Sequence, residues 1–177
     1  MKNEAIKNLI EQHDLFEETR IIERNQYLKI GGSIDTAIYL VESGSLRIFV
    51  IDDNEERMIR FGYQHNLIVA LDSFLSEKAS DFYIQALKKT TVRVILKKKF
   101  LDFMNKDLVH IKLWNSVLED LILQQIEREK DLLTNSPKER YERVLKRSPQ
   151  LFQEIPNKHI ANYLRMTPET LSRLKKS

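Results

Sequence analysis

The chain has no cysteine. That absence excludes disulfides, thiolate-held iron–sulfur clusters, cysteine zinc sites and thiol nucleophiles. The four histidines, His13, His65, His110 and His159, lie more than ten residues apart, so no local His-x-His or His-x-x-x-His motif exists. No metal and no other cofactor is expected. No apolar run approaches the roughly 18–20 residues needed to span a bilayer. The N-terminus, MKNEAIKNLIEQHDLF, carries charges where an export signal needs an apolar stretch, so a cytoplasmic protein with no membrane partner is expected. Gly-x-Ser-x-Gly, a Gly-rich phosphate loop and a Cys/His pair are all missing, and a cupin-type metal enzyme lacks its His-x-His pair. The chain is therefore not expected to be an enzyme.

What is present is a core and an uneven charge. Of 177 residues, 42% are hydrophobic, enough to build an interior. The net charge of +3 conceals a division. From Pro137 to Ser177 there are ten Lys/Arg against four Asp/Glu, which makes that segment +6 and the remainder −3. A basic end on a mildly acidic body fits a nucleic-acid-binding end, and equally a solvated surface.

The periodicity changes along the chain. Ala5, Ile6, Leu9 and Ile10 predict a short helix that ends near Asp14. From Arg20 to Leu96, short β-rich stretches appear, 20–23, 27–29, 37–42, 45–51, 56–61, 82–86 and 90–96, with alternation clearest in Leu46, Ile48, Val50 and in Val92, Val94, Leu96. Gly31-Gly32, Glu42-Ser43-Gly44 and Asp52-Asp53-Asn54 separate them as turns. Many short strands at this spacing indicate a sandwich or barrel. Leu67–Leu75 interrupts the strands as a short helix. Helix resumes at 98–105, and 108–133 runs without Pro or Gly. The apolar residues of that helix span more than one face. Its second face is expected to meet the same helix of another subunit, through Ile111, Trp114, Leu118, Leu121, Ile122 and Gln125; a core helix in a monomer is the other reading.

Ser136 and Pro137 start a further helix, to about Arg147, and Gln150–Glu154 is read as a connector. The final residues are IPNKHIANYLRMTPETLSRLKKS. Asn157 is expected to cap a helix over 158–163, with Ile160, Ala161 and Leu164 inward. A tight turn follows at Arg165-Met166. Thr167 caps a second helix, with Pro168 at its first position and Leu171 and Leu174 inward. Two short helices so joined make a helix-turn-helix or a packing hairpin. The outward groups suit DNA: Glu169, Thr170, Ser172 and Arg173 for base edges, and Lys158, Arg165, Thr167, Lys175 and Lys176 for the backbone.

IANYLRMTPETLSRL resembles the helix-turn-helix of the CRP/FNR family, which carries a similar Ile-Ala…Leu…Thr-x-Glu-Thr-x-Ser-Arg run. The resemblance covers nearly the whole chain and implies an α+β protein. Residues 1–106 would form a jelly-roll-like double-stranded β-helix, a cyclic-nucleotide-binding-like sensor domain. Residues 107–135 would be a dimerisation helix and 136–177 a short DNA-binding domain without the usual wing. The implied function is a transcription regulator that binds a palindromic operator as a homodimer, with double-stranded DNA and RNA polymerase as partners. Glu169 and Arg173 fall on the family's base-contacting positions, and Pro168 stands where some members have a further arginine.

The same resemblance locates a ligand cassette. Cyclic-nucleotide-binding members use a Gly-Glu pair before a short helix and an Arg-Ser or Arg-Thr pair after it. Here those places hold Val69-Ala70 and Ser80-Asp81. The phosphate-binding cation is missing and a carboxylate stands beside its place, so no cyclic nucleotide is expected. An effector of another kind, if there is one, would meet a pocket lined by Phe61, Leu71, Phe74, Phe82 and Tyr83. The alternative function is a ligand-binding or interaction module with a β-roll that does not bind DNA.

Overall fold

Short strands, the central ones apolar on both faces, build two antiparallel sheets. The computed structural model describes residues 2–176, with side chains from Glu4 onward; Met1 and Ser177, the expected ends of the outer domains, lie outside the described residues. After helix α1 (Lys2–Gln12) come β1 (Glu18–Ile22), β2 (Tyr27–Lys29), β3 (Ile38–Ser43), β4 (Ser45–Asp52), β5 (Glu55–Tyr63) and β6 (Leu67–Val69). Helix α2 (Leu71–Ser76) precedes β7 (Tyr83–Ala86) and β8 (Thr90–Ile95). The first sheet has the order β1-β8-β3-β6 and the second β2-β7-β4-β5. All of the pairings are antiparallel. The chain is an α+β protein whose β-roll is followed by helices α3 (Lys97–Met104), α4 (Leu108–Leu133), α5 (Pro137–Arg147), α6 (Leu151–Glu154), α7 (Asn157–Tyr163) and α8 (Pro168–Leu174).

The period of two sorts each strand between two cores. Tyr39, Val41, Val92 and Val94 of the first sheet face Leu46, Ile48, Ile84 and Ala86 of the second. The next residues along, Ile38 and Ile95, face the other way, onto Ile6 and Ile10 of α1, Phe100 and Phe103 of α3, and Val117 of α4. On the second sheet Phe49, Met58 and Phe61 face outward onto Val144, Leu151, Ile160, Ala161, Leu164 and Leu171 of the C-terminal helices. Three apolar layers thus join four layers of structure. Each fully buried large side chain contributes about 1.5–3 kcal/mol relative to exposure.

The turns follow from residue type. Asp52 pairs with Glu55, leaving Asp53 and Asn54 as a two-residue hairpin with φ of 47° and 62°. That is the type I′ geometry that Asp and Asn tolerate. Gly44, at φ 93°, joins β3 to β4; a Cβ there would lie 2.3 Å from Thr90 Oγ1. The stretch 67–75, expected as one helix, divides into β6 and α2, because Leu67–Val69 pairs with β3. The expected connector 150–154 contains the one-turn helix α6.

Helix α4 has two faces, but they divide its residues differently from expectation. Trp114 and Leu121 share the face of Val117 and pack into the roll-side core, with the Trp114 ring 5.0 Å from Phe100 and 6.1 Å from Phe74. These two assigned interface residues are therefore turned inward, as the i, i+3, i+7 spacing from 114 requires. Ile111 and Leu118 are half-buried and Gln125 is exposed. Leu108, Val109, Ile122, Leu123, Ile126 and Leu133 are exposed, Ile122 to 61%.

The junction of α4 and α5 is held by charge. Asp131 is fully buried and accepts from Arg143 Nε at 3.0 Å and from the Arg147 guanidinium. Glu127 accepts from Arg143 as well, at 3.0 Å. Asp131→Ala leaves both arginines without their buried counter-ion; the expected cost is about 3 kcal/mol of unfolding free energy, read as a lowered midpoint in urea denaturation.

Candidate nucleic-acid interface

Helices α7 and α8 form a tight pair around Leu171, which is fully buried beside Ile160, Ala161 and Leu164. The turn between them takes its shape at Arg165, at φ 52°, and closes when Met166 N–H donates to Ala161 O at 3.0 Å. Arg140, itself buried, donates to Leu164 O at 2.9 Å, Arg165 O at 3.2 Å and Thr134 O at 2.5 Å. It thereby satisfies carbonyls that the end of α7 would leave open. Thr167 Oγ1 accepts from Thr170 N–H at 3.2 Å and Pro168 occupies the first turn, as the sequence indicated. The expected cap at Asn157 is not formed. Asn157 is the first residue of α7, Pro156 stands at the cap position, and Asn157 Oδ1 accepts from Lys175 Nζ at 2.6 Å.

One face of α8 is open to solvent. Glu169, Ser172, Arg173, Lys175 and Lys176 are exposed, and Thr170 is half-buried. The Glu169 carboxyl is held below the ordinary carboxylate range by its own backbone N–H at the helix start, by the Thr167 hydroxyl and by nearby Arg173. Arg165 is exposed at the turn. Lys158 lies apart from this group: it borders a cavity on the side of α7 that meets the roll.

That seam was not legible in the sequence. Strand β5 is an edge strand, and Asn162 of α7 pairs with it as another strand would. Its Oδ1 accepts from Met58 N–H at 2.9 Å and its Nδ2 donates to Glu56 O at 2.8 Å. The Tyr163 ring lies 5.6 Å from Phe61, edge to face. Arg128 of α4 sits 3.6 Å over the Tyr163 ring and donates to Tyr163 O at 2.6 Å. Burial lowers the pKa of Arg128, and its Nη1 is buried without a partner among the described residues. Apolar, aromatic, cation–π and hydrogen-bonded contacts together fix α7 on the roll.

Beneath α7 lies a cavity of about 280 Å³ lined by Arg47, Glu56, Gln85, Lys158, His159 and Asn162, among others. Arg47 is committed to Glu56 as a bidentate pair and to Gln85 Oε1 at 2.8 Å. His159 has its pKa lowered to about 4 by burial and by the positive charges of Arg47 and Lys158, which Glu56 only partly offsets.

The residues assigned to an effector pocket do not converge on one cavity. Phe61 and Tyr83 lie in the layer under the C-terminal helices, Tyr83 stacked 5.2 Å from Phe49. Phe82 packs on the core between the sheets, and Phe74 lies in the layer beside α4. Leu71 is half-buried. None of the five lines either of the two cavities described, the seam cavity or one of about 440 Å³ bordered by Tyr27, Lys29, Asp35, Tyr39 and Lys97. The alternation that makes a good strand separates neighbours such as Phe82 and Tyr83 onto opposite faces. In the cassette, Val69 ends β6, and Ala70 is buried at the start of α2. Ser80 is buried and bridged to Ser33, whereas Asp81 is exposed. None of these four supplies a cation for a cyclic phosphate.

A β-roll of two antiparallel sheets is followed by a long helix and a terminal helical unit. The cyclic nucleotide-binding domain profile matches residues 19–107, half of the chain, and the protein belongs to that family. No curated protein sequence matches the chain. Among solved structures, it is similar to a CooA mutant from Carboxydothermus hydrogenoformans, at TM-score 0.72 and 17% identity, over 92% of this chain and 76% of that one. It is also similar to the catabolite activator protein of Thermus thermophilus, at TM-score 0.59 and 21% identity, over 96% and 81% of the two chains. A third is CLP, the c-di-GMP-responsive global regulator of Xanthomonas campestris, at TM-score 0.66 and 13% identity, over 96% and 89%. At these identities the likeness is one of fold.

Among the described residues, no helix is long and apolar enough to cross a membrane, and no group of three His, Asp or Glu side chains is placed to hold a metal.

The seam should respond to acid. The folded-state pKa of His159, about 4, lies below the ordinary 6.5, so the unfolded chain binds the extra proton first as pH falls. The stability linked to a neutral His159 is complete above pH 6.5 and declines as pH drops toward 4. Thermal melts over this window should show that decline in the wild type and a shallower one in His159→Gln; equal slopes would remove His159 from the account.

Proposed function

We propose that the protein is a DNA-binding transcription regulator of the CRP/FNR type, acting as a homodimer on a palindromic site. In this reading residues 1–106 are the sensor, 107–135 the dimerisation helix and 136–177 the DNA-binding unit. The observation that carries it is the stance of α8: capped, set on a buried Leu171, and presenting Glu169, Ser172, Arg173 and Lys176 to solvent while α7 is occupied with the roll. A pair used only for packing has no need of an outward face that can both accept from and donate to base edges.

The basic character of the C-terminal segment supports the reading less than its net charge suggests. Arg140, Arg143 and Arg147 are spent on backbone carbonyls, Asp131 and Glu127. Of the seven other cations in the segment, Arg165, Arg173, Lys175 and Lys176 cluster about α8 and its turn, whereas Lys138 and Lys146 lie on α5 and Lys158 at the seam. The four about α8 suit phosphate contact, and the binding they support should weaken steeply with salt. The cassette lacks the cation that a cyclic nucleotide requires, so DNA binding is expected without it. The exposed apolar residues of α4 are the surface on which a second copy would pack.

The test is selection of bound DNA from a random pool by the purified chain. The expected outcome is an enriched palindrome with half-sites about one helical turn apart; no enrichment at low salt would overturn the reading. On the selected site, Arg173→Ala should cost roughly 1–3 kcal/mol and relax sequence choice, whereas Lys176→Ala should weaken selected and random DNA alike. Ile122→Glu places a charge on the exposed face of α4 and should convert dimer to monomer in sedimentation; a dimer that survives it moves the interface elsewhere.

A further inference from the structure

Lys29 ends β2, yet its side chain is only 4% exposed. Its Nζ donates to three backbone carbonyls: Ser80 O at 2.8 Å, Phe82 O at 2.8 Å and Ile30 O at 3.0 Å. An ammonium has three N–H groups and no acceptor, whereas a neutral amine has two N–H groups. Three carbonyls around one nitrogen therefore match the charged form. Burial lowers the pKa of this lysine, and Asp35, Asp72 and Asp81 oppose that only from a distance. A buried charge without a salt-bridge partner is costly, so its hydrogen bonds must hold it.

What the ammonium joins is specific. Ser80 and Phe82 belong to the segment between α2 and β7, and Ile30 opens the loop between β2 and β3. The same two segments are linked by Gly32 N–H to Ser80 O at 2.9 Å and by Ser80 N–H to Ser33 O at 3.1 Å. Ser73 of α2 extends the fastening, accepting from Asp35 N–H at 2.9 Å and donating to Lys78 O at 2.8 Å. Lys97 donates to Phe74 O and to Glu77 Oε1, the latter at 2.7 Å.

We propose that Lys29 is a built-in cation that holds the 80–82 segment shut against the 30–33 loop, so that the roll keeps one conformation without an added effector. This rests on the regulator reading only for its consequence, an operator affinity that does not depend on cyclic nucleotide. The fastening is a property of the roll alone. It also accounts for the absence of a cation at Ser80, since the charge that organises this region arrives from β2.

The test is amide hydrogen exchange on the full chain, wild type and Lys29→Met, which keeps the stem and removes the charge. Peptides spanning 30–34 and 77–84 should exchange about ten-fold faster in the variant, with peptides from β3 and β8 little changed. In the wild type, millimolar cyclic AMP or inorganic phosphate should leave exchange of these peptides as it was. Unchanged exchange in Lys29→Met overturns the proposal, and so does slowing of the wild type by either probe. If the variant does not fold, the wild-type ammonium decides: a slowly exchanging Lys29 Nζ signal in proton–nitrogen NMR supports the fastening, and one that exchanges like surface lysines overturns it. Failure to bind DNA with the exchange results intact would overturn the regulator reading and leave Lys29 in its role.

Discussion

The outer face of the second sheet governs how this molecule is assembled. Phe49, Met58 and Phe61 leave the roll's interior because their neighbours in the strands point into it, and a face so apolar must be covered. Helix α7 covers it with Ile160, Ala161 and Leu164. Asn162 then supplies the hydrogen bonds that the free edge of β5 would otherwise seek from another strand. With α7 committed in this way, α8 is left with one buried side and one free side. The position of its polar face relative to the roll is thus a consequence of strand alternation some hundred residues earlier in the chain.

Charge does a different task at each level. Inside, arginines act as connectors: Arg140 ties the α7–α8 turn to α5, Arg143 and Arg147 close on Asp131, and Arg128 joins α4 to Tyr163. Each uses the planar, multi-donor guanidinium that lysine lacks. On the surface about α8, Arg165, Arg173, Lys175 and Lys176 remain. The roll likewise spends cations internally, Lys29 on carbonyls and Arg47 on Glu56. Net charge along the sequence cannot distinguish these uses, because a cation's role depends on which acceptors the fold brings within reach.

The long helix shows how one element serves two neighbours. Val117, Trp114 and Leu121 bind it to the roll, Arg128 binds it to α7, and Asp131 binds it to α5. Helix α4 thus contacts the roll, α7 and α5 at once. Its outer apolar residues, Ile122 foremost, take no part in those contacts.

Much of this was legible in the sequence. A β-rich composition between turn signals identified seven of the eight strands, with alternation clearest in β4 and β8. Ser136-Pro137 and Thr167-Pro168 fixed two helix starts, because a hydroxyl acceptor followed by a residue with no N–H suits only a first turn. The pattern around Ile160, Ala161 and Leu171 gave the helical pair. Three residues of β6 were too few to register against the apolar run that contains them. The sequence could not reveal that Trp114 turns inward, because an apolar stripe wider than one face does not state which side meets which partner. Nor could it reveal Asn162 on the edge of β5, Lys29 on the carbonyls of 80–82, or the dispersal of Phe61, Phe74, Phe82 and Tyr83 into three layers. Those contacts join residues about 50 to 100 positions apart, and hydrogen bonds between a side chain and a distant backbone leave no periodic trace. Local chemistry determined most of the elements and the caps at Ser136 and Thr167; the packing of the two sheets and the closure of the helices upon them decided which residues were brought together.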